Sequence, residues 1–209
     1  MAEGAKGEVV VEEPTRAQQT LARRVAEAKA TVPDFALSAG VDVDGLDLVL
    51  ERIVRACALA LREHPRANGA YRDGRFERYS RVNVGVVIGV ADGLVVPTIF
   101  DADRKPLAEI ASELAVLAQR ADGGELTPPE LAGGTFTVFP AAAERITPVI
   151  NGPQAAILGV GAAVPRAVAR DAAVAVRSVA ELTLVCDHRI LYGDAAAALL
   201  ERVRALVRE

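Results

Sequence analysis

The chain has 209 residues, with 24 Lys and Arg against 28 Asp and Glu, a net charge of −4. Hydrophobic residues make up 51% and aromatic residues only 4%, with no Trp. This composition predicts a folded chain, and it argues against both a basic nucleic-acid stripe and aromatic platforms for single strands.

In chain order, residues 1–13 carry Gly, Glu and Val without a helical period and read as a flexible arm, leaving 14–209 as one domain. "TRAQQTLARRVAEAKATVP" predicts a helix capped by Thr15, with Leu21, Val25 and Ala28 on one face and Pro33 as terminator. "DFALSAGVDVD" alternates as a strand does. "DGLDLVLERIVRACALALREHP" repeats Leu46, Val49, Ile53, Cys57 and Leu61 at near-helical spacing, one buried face of a long helix. In "YRDGRFERY" the pair Asp73-Gly74 predicts a tight hairpin. "RVNVGVVIGVADGLVVPTIFDAD" predicts two apolar strands around a second such turn at Asp92 and Gly93.

A third helix is expected in "RKPLAEIASELAVLAQRADGG", with Pro106 in its first turn and Gly123-Gly124 at its end. "GGTFTVF", "AAILGVGAAV" and "VRSVAELTLVCDH" are rich in strand formers. "DAAAALLERVRALVRE" predicts a last helix, for which Asp194 is placed as N-cap. This order is not a regular strand-helix alternation. It predicts an α+β fold with a mixed sheet covered by helices.

Few side chains suggest chemistry. Cys57 and Cys186 read as small core residues, too few for a structural zinc site, and no metal-ligand spacing is present. No tightly bound cofactor is expected. No apolar run reaches the ~18 residues of a membrane span, and the first residues lack a signal peptide's apolar core. A cytoplasmic protein without a membrane partner is the expectation. His64 closes the second helix and reads as a solvated helix-end residue. "GVGAAVP" lacks the spacing of a phosphate loop, so Gly159 and Gly161 read as sites of close packing or a bulge. His188, in "CDHRILYGDA", stands at the end of a strand. With no G-x-S-x-G elbow and no metal ligands near it, its chemistry would be general-base catalysis.

Five segments, in order and spacing, resemble the catalytic core of the 2-oxoacid dehydrogenase acyltransferases, the dihydrolipoamide acyltransferase component. They are "TRAQQTLARRVAEAKATVPDF", "VNVGVVIGVADGLVVPTIFDADRKPLAEIASEL", "GGELTPPELAGGTFTV", "TPVINGPQAAILGVG" and "LTLVCDHRILYG". The resemblance runs from about Thr15 to Val207. It implies a chloramphenicol-acetyltransferase-like core and acyl transfer between a dihydrolipoyl thiol and coenzyme A, both as substrates. It also implies a homotrimer with its site in a channel between neighbouring subunits. The lipoyl or acyl carrier domain would come from another chain. His188 matches the histidine of the family's D-H-R-x-x-D/N-G motif and would deprotonate the attacking thiol. Thiols titrate near ~8.5 and imidazoles near ~6.5, so that transfer is uphill by only about 3 kcal/mol.

Three positions differ from the family pattern. Tyr192 stands where the family has Asp or Asn, with Asp194 as a possible substitute. Phe139 stands at the expected hydroxyl position, followed by a shorter loop, and the nearest hydroxyls are Thr137, two residues short, and Thr147. Losing an oxyanion donor costs about 10²–10³ in rate. Gln18-Gln19 stand where the opening helix often carries an arginine pair. The chain ends in "RALVRE", without the hydrophobic tail of cage-forming members, so an isolated trimer is expected. With no lipoyl domain ahead of the core, the chain is either part of a longer protein or a stand-alone core. Two functions stay open. One is an acyltransferase using the lipoyl group with coenzyme A or another phosphopantetheine thiol. The other is a catalytically degenerate trimer acting as scaffold or carrier-docking module.

Overall fold

A computed structural model describes residues 7–91, 93–170 and 173–209. Helix α1 (Arg16–Thr31) opens on Thr15, whose hydroxyl accepts from the Gln18 amide while the Gln18 side chain accepts from the Thr15 N–H. This reciprocal cap satisfies two donors that the first turn would leave unpaired. Strand β1 (Asp34–Asp42) follows, then α2 (Val49–Glu63). Leu46 lies outside α2, contrary to the periodicity. The chain reaches the helix through Leu48, whose φ of 50° is left-handed and breaks the helical run.

The hairpin β2 (Gly69–Arg72) and β3 (Arg75–Arg78) turns at Asp73 and Gly74, both at positive φ, the conformation that favours Asp-Gly. The apolar stretch beyond it forms four short strands rather than two: β4 (Val84–Val86), β5 (Ile88–Val90), β6 (Gly93–Val95) and β7 (Thr98–Ile99). Asp92, half of the second expected turn, lies outside the described residues. Helix α3 (Leu107–Asp122) begins just after Pro106, which is its N-cap, and Gly124 leaves it at a φ of 66°. Then come β8 (Phe136–Pro140), β9 (Ala156–Val160), β10 (Val164–Arg170), β11 (Ala173–Asp187) and α4 (Gly193–Leu206). The "AAILGVGAAV" segment therefore feeds two strands, β9 and the start of β10.

The main sheet runs β1-β11-β9-β8-β4-β7, with β10 paired to the first half of β11. The β9/β8 and β8/β4 pairs are parallel and the others antiparallel, so the sheet is mixed as expected. One face meets α2, α3 and α4. Phe136, Val138, Leu158, Leu182, Leu184 and Cys186 pack there with Ile53, Leu61, Ile110 and Leu199 in a continuous core. Because strand side chains alternate, the intervening residues face the other way. On that face the buried apolar set is small: Ile150, Ile157 and Val185, with Val32 and Phe139 against them.

Gly159 and Gly161 have a packing role, as the sequence suggested. The 141–148 segment crosses β9 so closely that a Cβ on Gly159 would lie 2.7 Å from the Ile146 carbonyl oxygen. One on Gly161 would lie 2.0 Å from that of Glu144. Among the described residues, no helix is long and apolar enough to cross a membrane.

Candidate active site

Strand β11 ends at Asp187, and the next residue turns out of the sheet. The His188 N–H donates to the Pro33 carbonyl at 2.9 Å, tying this turn to the entry of β1. Asp187 is buried. Its carboxylate accepts from the Arg189 N–H at 2.9 Å, from Arg189 Nε at 2.9 Å and from Arg189 Nη2 at 2.7 Å. Those bonds hold the Arg189 guanidinium above its ordinary pKa range. Its far face lies over the Tyr71 ring, 4.6 Å from the centroid. The two neighbours of His188 in "DHR" thus lock the turn from behind, and His188 itself is exposed.

The imidazole stands between two rings. Phe35, one residue into β1, meets it edge to face at 4.7 Å between centroids, and Tyr192 does so at 5.9 Å. Among the described residues neither imidazole nitrogen has a hydrogen bond or an ion pair. The nitrogens are free to meet an incoming donor, which a general base requires.

Tyr192 is half-exposed and serves as the N-cap residue of α4. This corrects the placement of Asp194, which falls inside the first turn of α4, is exposed and makes no capping hydrogen bond. An acid in the first turn still meets the positive end of the helix dipole favourably. His64 is the C-cap residue of α2, as a solvated helix-end histidine would be.

Phe139 is half-buried beside Val32, Ile150, Ile157 and Val185. It lies opposite Gly159 of β9, which lies opposite Thr183 of β11. His188 comes five residues after Thr183, about 16 Å along the sheet at ~3.3 Å per residue. Within one chain, therefore, Phe139 and His188 do not meet. Thr137 is fully buried, and its hydroxyl donates to Gln154 Oε1 at 2.7 Å while accepting from Asn151 Nδ2 at 3.2 Å. Gln154 Nε2 in turn donates to the Gly134 carbonyl at 3.0 Å. That hydroxyl is committed to the strand ends. Thr147 is exposed on the 141–148 segment. Gln18, far from His188 in sequence, caps α1, and Gln19 Nε2 donates to the Pro14 carbonyl at 2.9 Å.

Cys57 and Cys186 are buried and free. Burial pushes the Cys186 thiol up to about 12 and that of Cys57 higher still. Both are core side chains rather than nucleophiles. Among the described residues there is no group of three or more His, Cys, Asp or Glu able to hold a metal ion. Sequence reasoning missed Phe35, Asp187, Arg189 and the Thr137–Asn151–Gln154 cluster. Only the two charges flanking His188 gave any local signal.

The family described as 2-oxoacid dehydrogenases acyltransferase (catalytic domain) matches residues 47–209. A Rickettsia typhi protein, the dihydrolipoyllysine-residue acetyltransferase component of the pyruvate dehydrogenase complex, is 31% identical over 91% of this chain and 52% of its own length. The chain thus spans about half the length of the curated relatives it matches. Among solved structures, the cubic core of the pyruvate dehydrogenase multienzyme complex superposes with a TM-score of 0.92 at 30% identity, covering 99% of this chain and 95% of that one. The dihydrolipoamide acetyltransferase of Azotobacter vinelandii does so at 0.92 and 29%, covering 100% and 96%. In that protein a serine, a histidine and an asparagine four residues beyond the histidine were investigated for their role in the catalytic mechanism. A chloramphenicol acetyltransferase shares the fold, with a TM-score of 0.54 at 12% identity over 96% of this chain and 99% of that one.

Proposed function

Because the chain belongs to the 2-oxoacid dehydrogenase acyltransferase family, we propose that it moves an acyl group between a dihydrolipoyl thiol and coenzyme A, or a related phosphopantetheine thiol, with His188 as general base. The observation that carries this reading is the exposed imidazole with both nitrogens free, on a turn fixed by Asp187 and Arg189. The imidazole takes the proton of the incoming thiol, and the thiolate adds to the thioester carbonyl carbon. The tetrahedral intermediate then collapses, expelling the second thiolate, which recovers the proton from the imidazolium.

The His-to-Asn spacing studied in the Azotobacter protein corresponds here to His188 and Tyr192. A phenol can donate or accept one hydrogen bond and does not carry a carboxylate's charge at neutral pH. Phe139, at the expected hydroxyl position, offers no donor. Its separation from His188 within one chain supports a site shared between neighbouring subunits of a homotrimer, where β8 of one subunit approaches the His188 turn of the next. The acyltransferase domain would occupy residues 14–209, and the protein would work in the cytoplasm.

A second reading has its own support. Phe139 lacks a hydroxyl, Thr137 is hydrogen-bonded elsewhere, and Tyr192 replaces a small polar residue. These fit a degenerate core kept as a trimeric scaffold or carrier-docking module.

Acetyl transfer from acetyl-coenzyme A to dihydrolipoamide, measured for the protein and for His188→Ala, separates the two. Removing the base is expected to lower the rate about 10²–10⁴-fold. Equal rates at the uncatalysed background, with carrier-protein thiols as well as with dihydrolipoamide, would establish the scaffold.

A further inference from the structure

Strand β8 has no hydroxyl to give a reacting thioester. Phe139 carries none, and that of Thr137 is buried and bonded to Gln154 and Asn151. A hydroxyl does stand beside the base. Tyr192 is 52% exposed, and its ring meets the His188 imidazole at 5.9 Å between centroids and 79° between planes. Among the described residues the phenol oxygen has no hydrogen-bond partner.

The phenol is held at both ends. At the main chain, the Tyr192 carbonyl accepts from the Ala196 N–H at 2.9 Å, in the first turn of α4. At the ring, the Arg66 guanidinium lies 5.8 Å from the Tyr192 centroid and 4.8 Å from that of Phe76 in β3. The hairpin that carries Phe76 is tied back to the same turn. Phe76 meets Tyr71 at 5.7 Å, and the Arg189 guanidinium lies over Tyr71 at 4.6 Å. A cation is drawn to the face of a ring, so Arg66 restrains the swing of the phenol. Phe35 sets the imidazole, at 4.7 Å. Base and hydroxyl thus share one turn of one subunit, each with its own ring contact.

We infer that Tyr192 is the oxyanion donor of this site, an assignment that rests on the acyl-transfer reading above. A phenol carries one O–H donor, and tyrosine is among the side chains that serve in oxyanion holes. As the thiolate adds to the thioester carbonyl carbon, a carbon–sulfur bond forms and the carbonyl π pair moves onto oxygen. The phenol donates a hydrogen bond to that oxygen and keeps its proton. When the carbonyl re-forms, the second carbon–sulfur bond breaks, and the departing thiolate takes the proton from the His188 imidazolium. Two departures from the family pattern are then one exchange. The hydroxyl absent from β8 is present on the residue four beyond the base.

Tyr192→Phe tests this, because it removes only the oxygen and keeps the ring between Arg66 and His188. In acetyl transfer from acetyl-coenzyme A to dihydrolipoamide, kcat should fall about 10²–10³-fold. The ratio kcat/KM should fall equally, since the bond is made only in the transition state. Circular dichroism and the imidazole proton resonances of His188 should match those of the parent protein, showing that the base has not moved. Arg66 acts through Tyr192 as a positioning residue. Arg66→Gln should therefore lower kcat about tenfold in the parent and leave that of Tyr192→Phe unchanged; equal losses in both overturn that positioning role.

His188-dependent transfer at undiminished kcat in Tyr192→Phe overturns the inference and leaves the acyl-transfer reading standing. A raised KM with kcat unchanged makes the phenol a binding contact and overturns it too. Absence of His188-dependent transfer to any thiol refutes both.

Discussion

The two faces of the central sheet are built from the same strands yet differ in kind. Toward α2, α3 and α4 the alternate residues Phe136 and Val138 of β8, Ala156, Leu158 and Val160 of β9, and Ala180, Leu182, Leu184 and Cys186 of β11 are apolar and buried in one continuous core. On the opposite face the alternate residues include Thr137, Thr183 and Asp187, all buried, around an apolar cluster of three. The first face supplies stability through apolar burial, about 1.5–3 kcal/mol for each large side chain. The second is hydrogen-bonded and thinly covered. Its hydrogen bonds fix positions: Thr137 to Gln154, Ser38 to Thr183 at 3.0 Å, and Asp187 to Arg189. The polar face is where this fold can present chemistry, because the other face already secures the sheet.

Adjacent residues of β8 offer the sharpest test of that contrast. Phe136 is buried on the helix side, and Phe136→Ala should cost about 3–5 kcal/mol by denaturant unfolding. A loss below 1 kcal/mol would mean the helix-covered core does not dominate. Next in size, Phe139→Ser restores a hydroxyl on the thin face. If an oxyanion donor is what β8 lacks, transfer should rise by about 10²–10³, equivalent to roughly 3–4 kcal/mol in the barrier. An unchanged rate would place the donor elsewhere.

Thr137→Val, one residue from Phe136 but on the other face, should cost about 1–3 kcal/mol, because it leaves the Gln154 and Asn151 side chains short of a partner. A cost matching that of Phe136→Ala would erase the distinction between the faces.

The smallest effect concerns the two core thiols. With its pKa raised to about 12, Cys186 should remain protonated and inert to a thiol reagent at pH 8 in the folded protein, and should react at once in guanidinium. Cys57, shifted in the same direction, should behave likewise. Since each folded pKa lies above the unfolded value, the unfolded chain loses these protons first as pH rises. Stability should then fall above about pH 9, by at most about 1.4 kcal/mol per pH unit for each thiol. Rapid labelling of the native protein at pH 8 would contradict their burial.

Much of this architecture was legible in local sequence. The capping residue Thr15, the Asp73-Gly74 turn, the helix-facing residues of α2 and the position of His188 at a strand end all follow from short-range rules. What stayed hidden depends on long-range register. Phe35 meets His188 only because Asp34 pairs with Asp187 across an antiparallel ladder that joins residues far apart in the chain. Tyr192 and Asp194 both precede the apolar part of the last helix. Which of them became the cap depended on where the turn after β11 ended, and that turn is fixed by Asp187. The Arg66–Phe76–Tyr192 contacts join three separate segments, and no spacing announces them.

The close passage of the 141–148 segment over Gly159 and Gly161 also bears on how this surface can be rebuilt. With backbone resting on backbone, there is no slack beneath the segment, so extra residues placed there must bulge away from β9. A loop lengthened at this point would grow toward whatever lies above the sheet, adding reach to the surface without disturbing β8 underneath. The missing side chains at Gly159 in β9 and at Gly161 just beyond it therefore act as a footing: they make this stretch of chain the natural place for length to vary, while Gly159→Ala would lift it off its seat.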